Sequence, residues 1–147
     1  MRRLIPLALF IVVVVAVPAG AQGTTLEFRP RPGSSGGVLS EAVRVDNLLF
    51  LSGALGTDST GRLVEGGVGP ETKQTLENIK AVLERNGLGM DRVVKCTVFL
   101  ADIAEWGAMN QVYRTYFSET KPARSAIGNA GLVRNARVEI ECIAALR

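Results

Sequence analysis

Lys121-Pro122-Ala123-Arg124-Ser125-Ala126, read together with the closing stretch Arg137-Val138-Glu139-Ile140-Glu141-Cys142-Ile143-Ala144, decides how the rest of the chain is placed. Pro122 locks its own φ and pushes Lys121 toward an extended conformation, so Arg124 follows a stiff turn at the head of a strand. A guanidinium held there presents a planar fork that matches a carboxylate. Taken alone, an arginine in that position is more often a solvated surface residue. In the closing stretch the strand period of two puts Glu139 and Glu141 on one face, with Ile143 beyond them, and Cys142 on the other.

Working outward, residues 102–117 form a helix, with Asp102 as N-cap. Ile103, Trp106, Met109, Val112, Tyr113, Tyr116 and Phe117 make its buried stripe. Residues 91–100 form a strand with Val94, Cys96, Val98 and Leu100 on an apolar face and Lys95, Thr97 and Phe99 on the other. Pro70 suits the first turn of an earlier helix that Gly87 ends. Thr72, Leu76, Ile79, Lys80 and Leu83 recur on it at helical spacing. Residues 38–45 and 48–52 are strands joined by the tight turn Asp46-Asn47. The second of them, Leu48-Leu49-Phe50-Leu51-Ser52, reads as buried on both faces. Residues 62–65 add a short strand, and 125–129 and 136–144 close the chain. The order ββ(β)αβαββ predicts an α+β sandwich, a mixed six-stranded sheet with two helices on one face. The sheet's other face mixes Ile143 and Phe99 with Glu139, Lys95 and Thr97. That composition suits an oligomer interface containing a polar cleft.

The first 21 residues read as a secretory signal rather than as part of the domain. Met1-Arg2-Arg3 is a basic start, residues 4–17 are apolar, and Ala19-Gly20-Ala21 is a cleavage site. The apolar run is short for a membrane span, so no lasting membrane anchor is expected and the protein is expected to be exported. Residues 22–37, rich in Gly, Pro, Ser and Arg, read as a flexible leader, with the domain at 38–147. Without Arg2 and Arg3 the 17 basic residues fall to 15 against 14 acidic ones, so the basic balance of the whole chain is no sign of a nucleic-acid partner. The chain has no histidine. This excludes a Ser-His-Asp triad, a Cys-His pair and histidine-metal chemistry. Two cysteines alone cannot build a tetrahedral thiolate zinc site. Gly66-Gly67-Val68-Gly69 lacks the Lys and Ser/Thr of a phosphate loop. No metal or other cofactor is expected. Cys96 and Cys142 both face the helices; neighbouring cysteines on adjacent strands rarely reach disulfide geometry, and two buried free thiols are favoured over a bridge.

Four motifs in order resemble the reactive intermediate deaminase family, RidA or YjgF, also described as endoribonuclease L-PSP-like. They are Leu48-Leu49-Phe50-Leu51-Ser52-Gly53, Gln74-Thr75-Leu76-Glu77-Asn78-Ile79-Lys80-Ala81-Val82-Leu83, Asn110-Gln111-Val112-Tyr113-Arg114-Thr115-Tyr116-Phe117, and Pro122-Ala123-Arg124-Ser125 with the closing Glu139-Ile140-Glu141. Each is weak alone; their order and spacing are specific. The resemblance implies a chorismate-mutase-like fold, a homotrimer, and sites in clefts between subunits. It implies hydrolysis of a 2-imino or enamine acid to a 2-keto acid and ammonia, with Arg124 holding the carboxylate and Glu139 near the attacking water. Such a reaction needs an anchored carboxylate, a positioned water and a proton relay, and no cofactor. Ser52 and Gly53 match the family's Ser-Gly after the second strand, where they either hold ligand or shape the strand end. Asn110 matches a helix asparagine near the subunit boundary. The chain departs from the best-studied deaminases at Leu39, where they carry tyrosine, and at Ala126, where they carry cysteine. The backbone N–H of Ala126 can still donate. Those losses keep open a protein that binds small carboxylates without catalysis. Endoribonuclease activity is a weaker alternative, given the near-neutral charge and few aromatics, and the sequence does not address a holdase role.

Overall fold

Seven strands form one mixed sheet that carries two helices. The structure, a computed structural model, is described for residues 23–33, 37–117 and 119–146. The chain runs β1 (Leu26–Arg29), β2 (Ala42–Val45), β3 (Leu48–Leu51), β4 (Ala54–Leu55), α1 (Val68–Arg85), β5 (Val93–Leu100), α2 (Trp106–Tyr116), β6 (Ala123–Gly128) and β7 (Val138–Ala145). The sheet order is β1-β2-β3-β7-β5-β6, with β4 also beside β7. Among the described residues only β5 and β6 pair in parallel, and α2 makes the crossover that a parallel pair requires. This is the α+β sandwich expected from the sequence.

The local chemistry explains each helix boundary. Pro70 lies in the first turn of α1, where its missing N–H costs nothing. Gly87 has φ +73° just past the end, and the N–H groups of Gly87 and Leu88 return to the carbonyls of Glu84 and Leu83. Asp102 accepts a hydrogen bond from the Ala104 N–H at 2.9 Å and starts a short 3-10 turn that leads into α2. Leu76, Ile79 and Leu83 of α1 are fully buried against the sheet. Each contributes on the order of 2 kcal/mol of hydrophobic stabilisation. Leu49 and Leu51, then Cys96, Val98 and Leu100, then Val138, Ile140, Cys142 and Ala144 make the buried side of the sheet.

Several expectations change. Leu26–Arg29, inside the stretch read as a flexible leader, is an edge strand paired with β2. Its Leu-Glu-Phe-Arg alternation is too short to stand out beside the Gly- and Pro-rich residues that follow. Residues 62–65 form no strand; only a single bridge links Thr57 and Leu63. β3 is not buried on both faces: Leu49 and Leu51 are buried, while Leu48 and Phe50 stay exposed. A register shift between Val93 and Lys95 buries Val93 and turns Val94 outward, so Val94 leaves the face of Cys96. Lys80 is exposed rather than part of the α1 stripe, whose polar members are Glu71, Thr72 and Thr75. The signal-like residues 1–21 lie outside the described residues.

The two cysteines are also corrected. Cys96 and Cys142 stand directly opposite each other in the β5–β7 ladder, with Cα atoms 4.1 Å apart, and form a disulfide. Facing antiparallel partners come closest where they do not share ladder hydrogen bonds, which brings the sulfurs within bonding reach. The bridge spans 46 residues of chain. Replacing both, Cys96→Ala with Cys142→Ala, is expected to cost roughly 2–4 kcal/mol of stability. Chemical denaturation of the oxidised protein beside the double variant checks this; coincident midpoints would contradict it.

Candidate functional site

On α2, Asn110, Tyr113 and Arg114 fall at helical spacing and share one face, with Phe117 just past the helix end. Tyr113 and Phe117 are buried, with ring centroids 4.7 Å apart. β6 runs beside this face and lays the Arg124 guanidinium over the Tyr113 ring, 4.5 Å from its centroid, and 5.7 Å from that of Trp106. Two aromatic faces hold the cation in place and leave its in-plane N–H donors for a ligand. Asn110, Tyr113, Arg114, Phe117, Lys121, Pro122 and Arg124 together enclose a cavity of about 240 Å3. The Tyr113 hydroxyl is buried and has no hydrogen-bond partner among the described residues. Burial pushes its pKa up to about 12, against the opposing pull of the Arg124 charge, so it stays protonated as a donor. Ala126 sits half-buried two residues beyond Arg124, on the same face and against the core.

Glu139 lies elsewhere. It is half-buried on β7, opposite Phe99 of β5 and Leu55 of β4. Its carboxylate rests on the backbone of Gly53: a methyl group at Gly53 would overlap Oε1 of Glu139 and approach its Cδ to 2.9 Å. Burial first, and repulsion from Glu141 second, raise the Glu139 pKa above the usual glutamate value. A carboxylate poised this way is suited to accept a proton from water. Ser52 precedes Gly53. Its hydroxyl donates to the Ser40 carbonyl at 2.6 Å and its N–H to the Glu41 carbonyl at 3.0 Å, so its proton is committed to joining two loops. Behind it, Asn78 of α1 donates to the carbonyls of Leu55 and Thr57, both at 2.9 Å, and pins the β4 segment that carries Gly53. Ser52 and Gly53 border a second cavity of about 570 Å3 with Asp58, Gln74, Asn78 and Arg85.

The predicted residues therefore form two groups. Arg124, Asn110 and Ala126 are together; Glu139, Gly53 and Ser52 are together. Leu39 is exposed and lines neither cavity. Arg124 shares a sheet row and face with Cys96 and Cys142, on the helix side. Glu139 is three rows away, ~10 Å along the strand, and two strands across, again ~10 Å, on the opposite face. One chain cannot bring the two groups to a single small molecule. Sequence reasoning placed Trp106 and Tyr113 in the core; Tyr113 is there, while the part both rings play beneath Arg124 was missed. Trp106 is 43% exposed and packs on Arg124. Its position at the head of α2, ahead of the fully buried Met109, was the available signal. Among the described residues no group of three or more His, Cys, Asp or Glu converges as a metal site would.

The family model described as Endoribonuclease L-PSP matches residues 31–146. The chain is 48% identical over 109 residues to the 2-iminobutanoate/2-iminopropanoate deaminase of Mus musculus, covering 74% of this chain and 81% of that protein. It is 44% identical to the human protein of the same name, covering 74% of this chain and 80% of that one. Among solved structures, yeast Mmf1 superposes with a TM-score of 0.76 at 30% identity, covering 84% of this chain and all of that one. E. coli TdcF with bound serine superposes at 0.70 and 31% identity, covering 82% and 96%. With the family model covering most of the described domain and the same sheet and helices recurring in these structures, the chain belongs to the endoribonuclease L-PSP family, that of RidA and YjgF.

Proposed function

We propose that this protein hydrolyses reactive 2-imino and enamine acids to 2-keto acids and ammonia. Arg124 holds the substrate carboxylate, and Glu139 takes the proton of a water that attacks the imine carbon. The observation that carries this reading is the Arg124 guanidinium, fixed between Tyr113 and Trp106 at a cavity sized for a small acid. Deaminases of this specificity among the relatives support it. Water adds to the carbon, the C–N bond breaks, and ammonia leaves; no electrons are exchanged.

The separation of Arg124 from Glu139 requires a second copy to complete each site. The open sheet face is suited to bring it. Cross-strand pairing puts Phe28, Val43, Phe50 and Ile143 in one apolar row on that face, with Phe28 and Phe50 exposed. We take the assembly to be a homotrimer, as the family resemblance implies, with Arg124 of one subunit facing Glu139 of the next. Export remains part of the proposal. The signal-like start suggests it, and a disulfide between Cys96 and Cys142 is suited to an oxidising compartment.

The test is direct. Purified protein lacking residues 1–21 is added to an amino-acid oxidase that releases 2-iminopropanoate, and imine decay and ammonia are followed. Acceleration is expected. Saturable pyruvate binding without acceleration would instead establish the carboxylate-binding alternative that Leu39 and Ala126 keep open.

The raised Glu139 pKa adds a pH prediction. Catalysis needs the ionised carboxylate, so the acid limb of kcat/KM is expected above the ordinary glutamate range. Glu141→Gln removes a like charge, makes ionisation easier, and moves that limb to lower pH. Burial, the larger cause, keeps it above the ordinary range. A limb that does not move on this substitution would take Glu139 out of the proton-accepting role.

A further inference from the structure

We infer that Asn78 is a positioning residue for Glu139: from α1 it holds in place the short segment on which the Glu139 carboxylate rests. The purpose of that placement rests on the hydrolase reading above; the placement itself rests on contacts within this chain. The support under Glu139 is weak by its own bonding. β4 is two residues long, Ala54–Leu55, and lies off the main path of the sheet. It pairs with β7, where Leu55 stands opposite Glu139 and Ala54 opposite Ile140. So short a ladder does not by itself hold a backbone to the accuracy that a catalytic carboxylate needs. α1 supplies the rest. The Asn78 amide donates to the carbonyls of Leu55 and Thr57, both at 2.9 Å. These two acceptors flank Gly56, which lies against the same helix: a Cβ there would meet the Glu71 carbonyl oxygen at 2.6 Å. Oδ1 of Asn78 accepts from the Gln74 amide, one turn earlier, at 3.0 Å, and so turns the Asn78 donors toward the segment. The helix is a firm mount, because Leu76 and Ile79 beside Asn78 are fully buried.

An amide is suited to this task. A carboxylate of the same shape has no donor and repels both carbonyls, and an aliphatic side chain leaves them unsatisfied. Without the fork the 53–57 segment shifts from β7, the Glu139 carboxylate loses the backbone it rests on, and water reaches it from that side. Two consequences follow for the reaction. The proton acceptor is misplaced, which lowers kcat. Glu139 also loses the burial that raises its pKa, so it ionises at lower pH. On its sheet face the charged neighbours are Glu141 of its own strand and Lys95 of β5. In the proposed assembly Arg124 of the next subunit joins them. Glu41, Asp58, Arg31 and Arg85 border the cavity beside Gly53. An uncharged replacement of Asn78 alters none of these charges, so a change in Glu139 titration reports its placement.

The test is Asn78→Leu in the full-length protein, close to asparagine in size and without its donors; Asn78→Ala serves if that variant does not fold. kcat for 2-iminopropanoate is expected to fall on the order of tenfold to a hundredfold. The acid limb of kcat/KM is expected to move to lower pH. Pyruvate affinity by calorimetry is expected to stay within about twofold, because Arg124 is held by the Tyr113 and Trp106 rings, which Asn78 does not touch. Asn86→Ala is the control. Its amide donates to the Val82 carbonyl at 2.8 Å at the end of the same helix, and wild-type kcat and acid limb are expected. An unchanged kcat and limb in Asn78→Leu would overturn the inference. So would a parallel loss of kcat and pyruvate binding, the mark of general unfolding. The second measurement does not need turnover: the carboxyl carbon signal of Glu139, assigned by its absence in Glu139→Gln, is titrated by NMR. Titration at lower pH in Asn78→Leu but not in Asn86→Ala supports the positioning even if wild type hydrolyses no imine, in which case the hydrolase reading alone fails. A Glu139 titration that ignores Asn78 overturns the inference and leaves the hydrolase reading to its own test.

Discussion

Arg124→Ala is expected to reduce kcat/KM for 2-iminopropanoate by at least about a hundredfold, on the order of 3 kcal/mol of transition-state stabilisation. In the proposed reaction the guanidinium fixes the substrate carboxylate, and without it the imine carbon would no longer be held opposite the water. The protein itself should stay folded. Arg124 is half-buried on the outermost strand, and its recorded partners are ring faces, so its loss strands no buried polar group. Arg124→Lys should recover only a minor part of the activity, because an ammonium is a point charge without the planar fork that binds a carboxylate and stacks on Tyr113. Pyruvate titration of the same variants separates binding from chemistry. Hydrolysis that persists at the wild-type rate in Arg124→Ala would place the site elsewhere.

Gly53→Ala should be nearly as damaging by a different route. The added methyl occupies the space of the Glu139 carboxylate, which must swing away from the backbone it rests on. A displacement of about 1 Å at a catalytic group can cost on the order of a hundredfold in rate. The loss should fall on kcat, with keto-acid binding at Arg124 largely kept, because Arg124 is held by the Tyr113 and Trp106 rings, which a methyl at Gly53 does not touch. Folding should survive, since the colliding atoms are the flexible end of a side chain. Gly56 is different in kind: a Cβ there would meet the backbone carbonyl of Glu71 at 2.6 Å, and backbone inside a helix cannot move aside. A Gly53→Ala protein with unchanged kcat would show that the contact between Gly53 and Glu139 has no part in the reaction.

Much of this molecule was legible before any coordinates. Local signals carry helix ends, so Pro70 and Gly87 marked those of α1 correctly, while Asp102 caps the short 3-10 turn that precedes α2 rather than α2 itself. The Asp46-Asn47 turn was equally local: Asp46 adopts φ +50° between β2 and β3. Period-two alternation put Glu139, Glu141 and Ile143 on one face and Cys142 on the other, as the ladder has them. What failed depended on a distant partner. Leu26–Arg29 becomes a strand only because β2 offers an edge. The shift between Val93 and Lys95 arises from pairing with β7 and reverses the side on which Val94 stands. The bridge between Cys96 and Cys142 follows from the register of two strands with α2, β6 and a long connection between them in sequence.

The site divides the same way. By itself the sequence pointed to the residues proposed for the chemistry: a guanidinium after a proline turn, a glutamate on a closing strand, and no histidine to compete with them. Tertiary structure alone decided how they are disposed. It laid Arg124 on Tyr113 and Trp106, set Glu139 against Gly53, and placed the two on opposite faces of one sheet. The reason is physical. A side chain's chemistry and its immediate turn are local properties, whereas the face it occupies and the neighbours it meets follow from strand register, which only the assembled sheet defines.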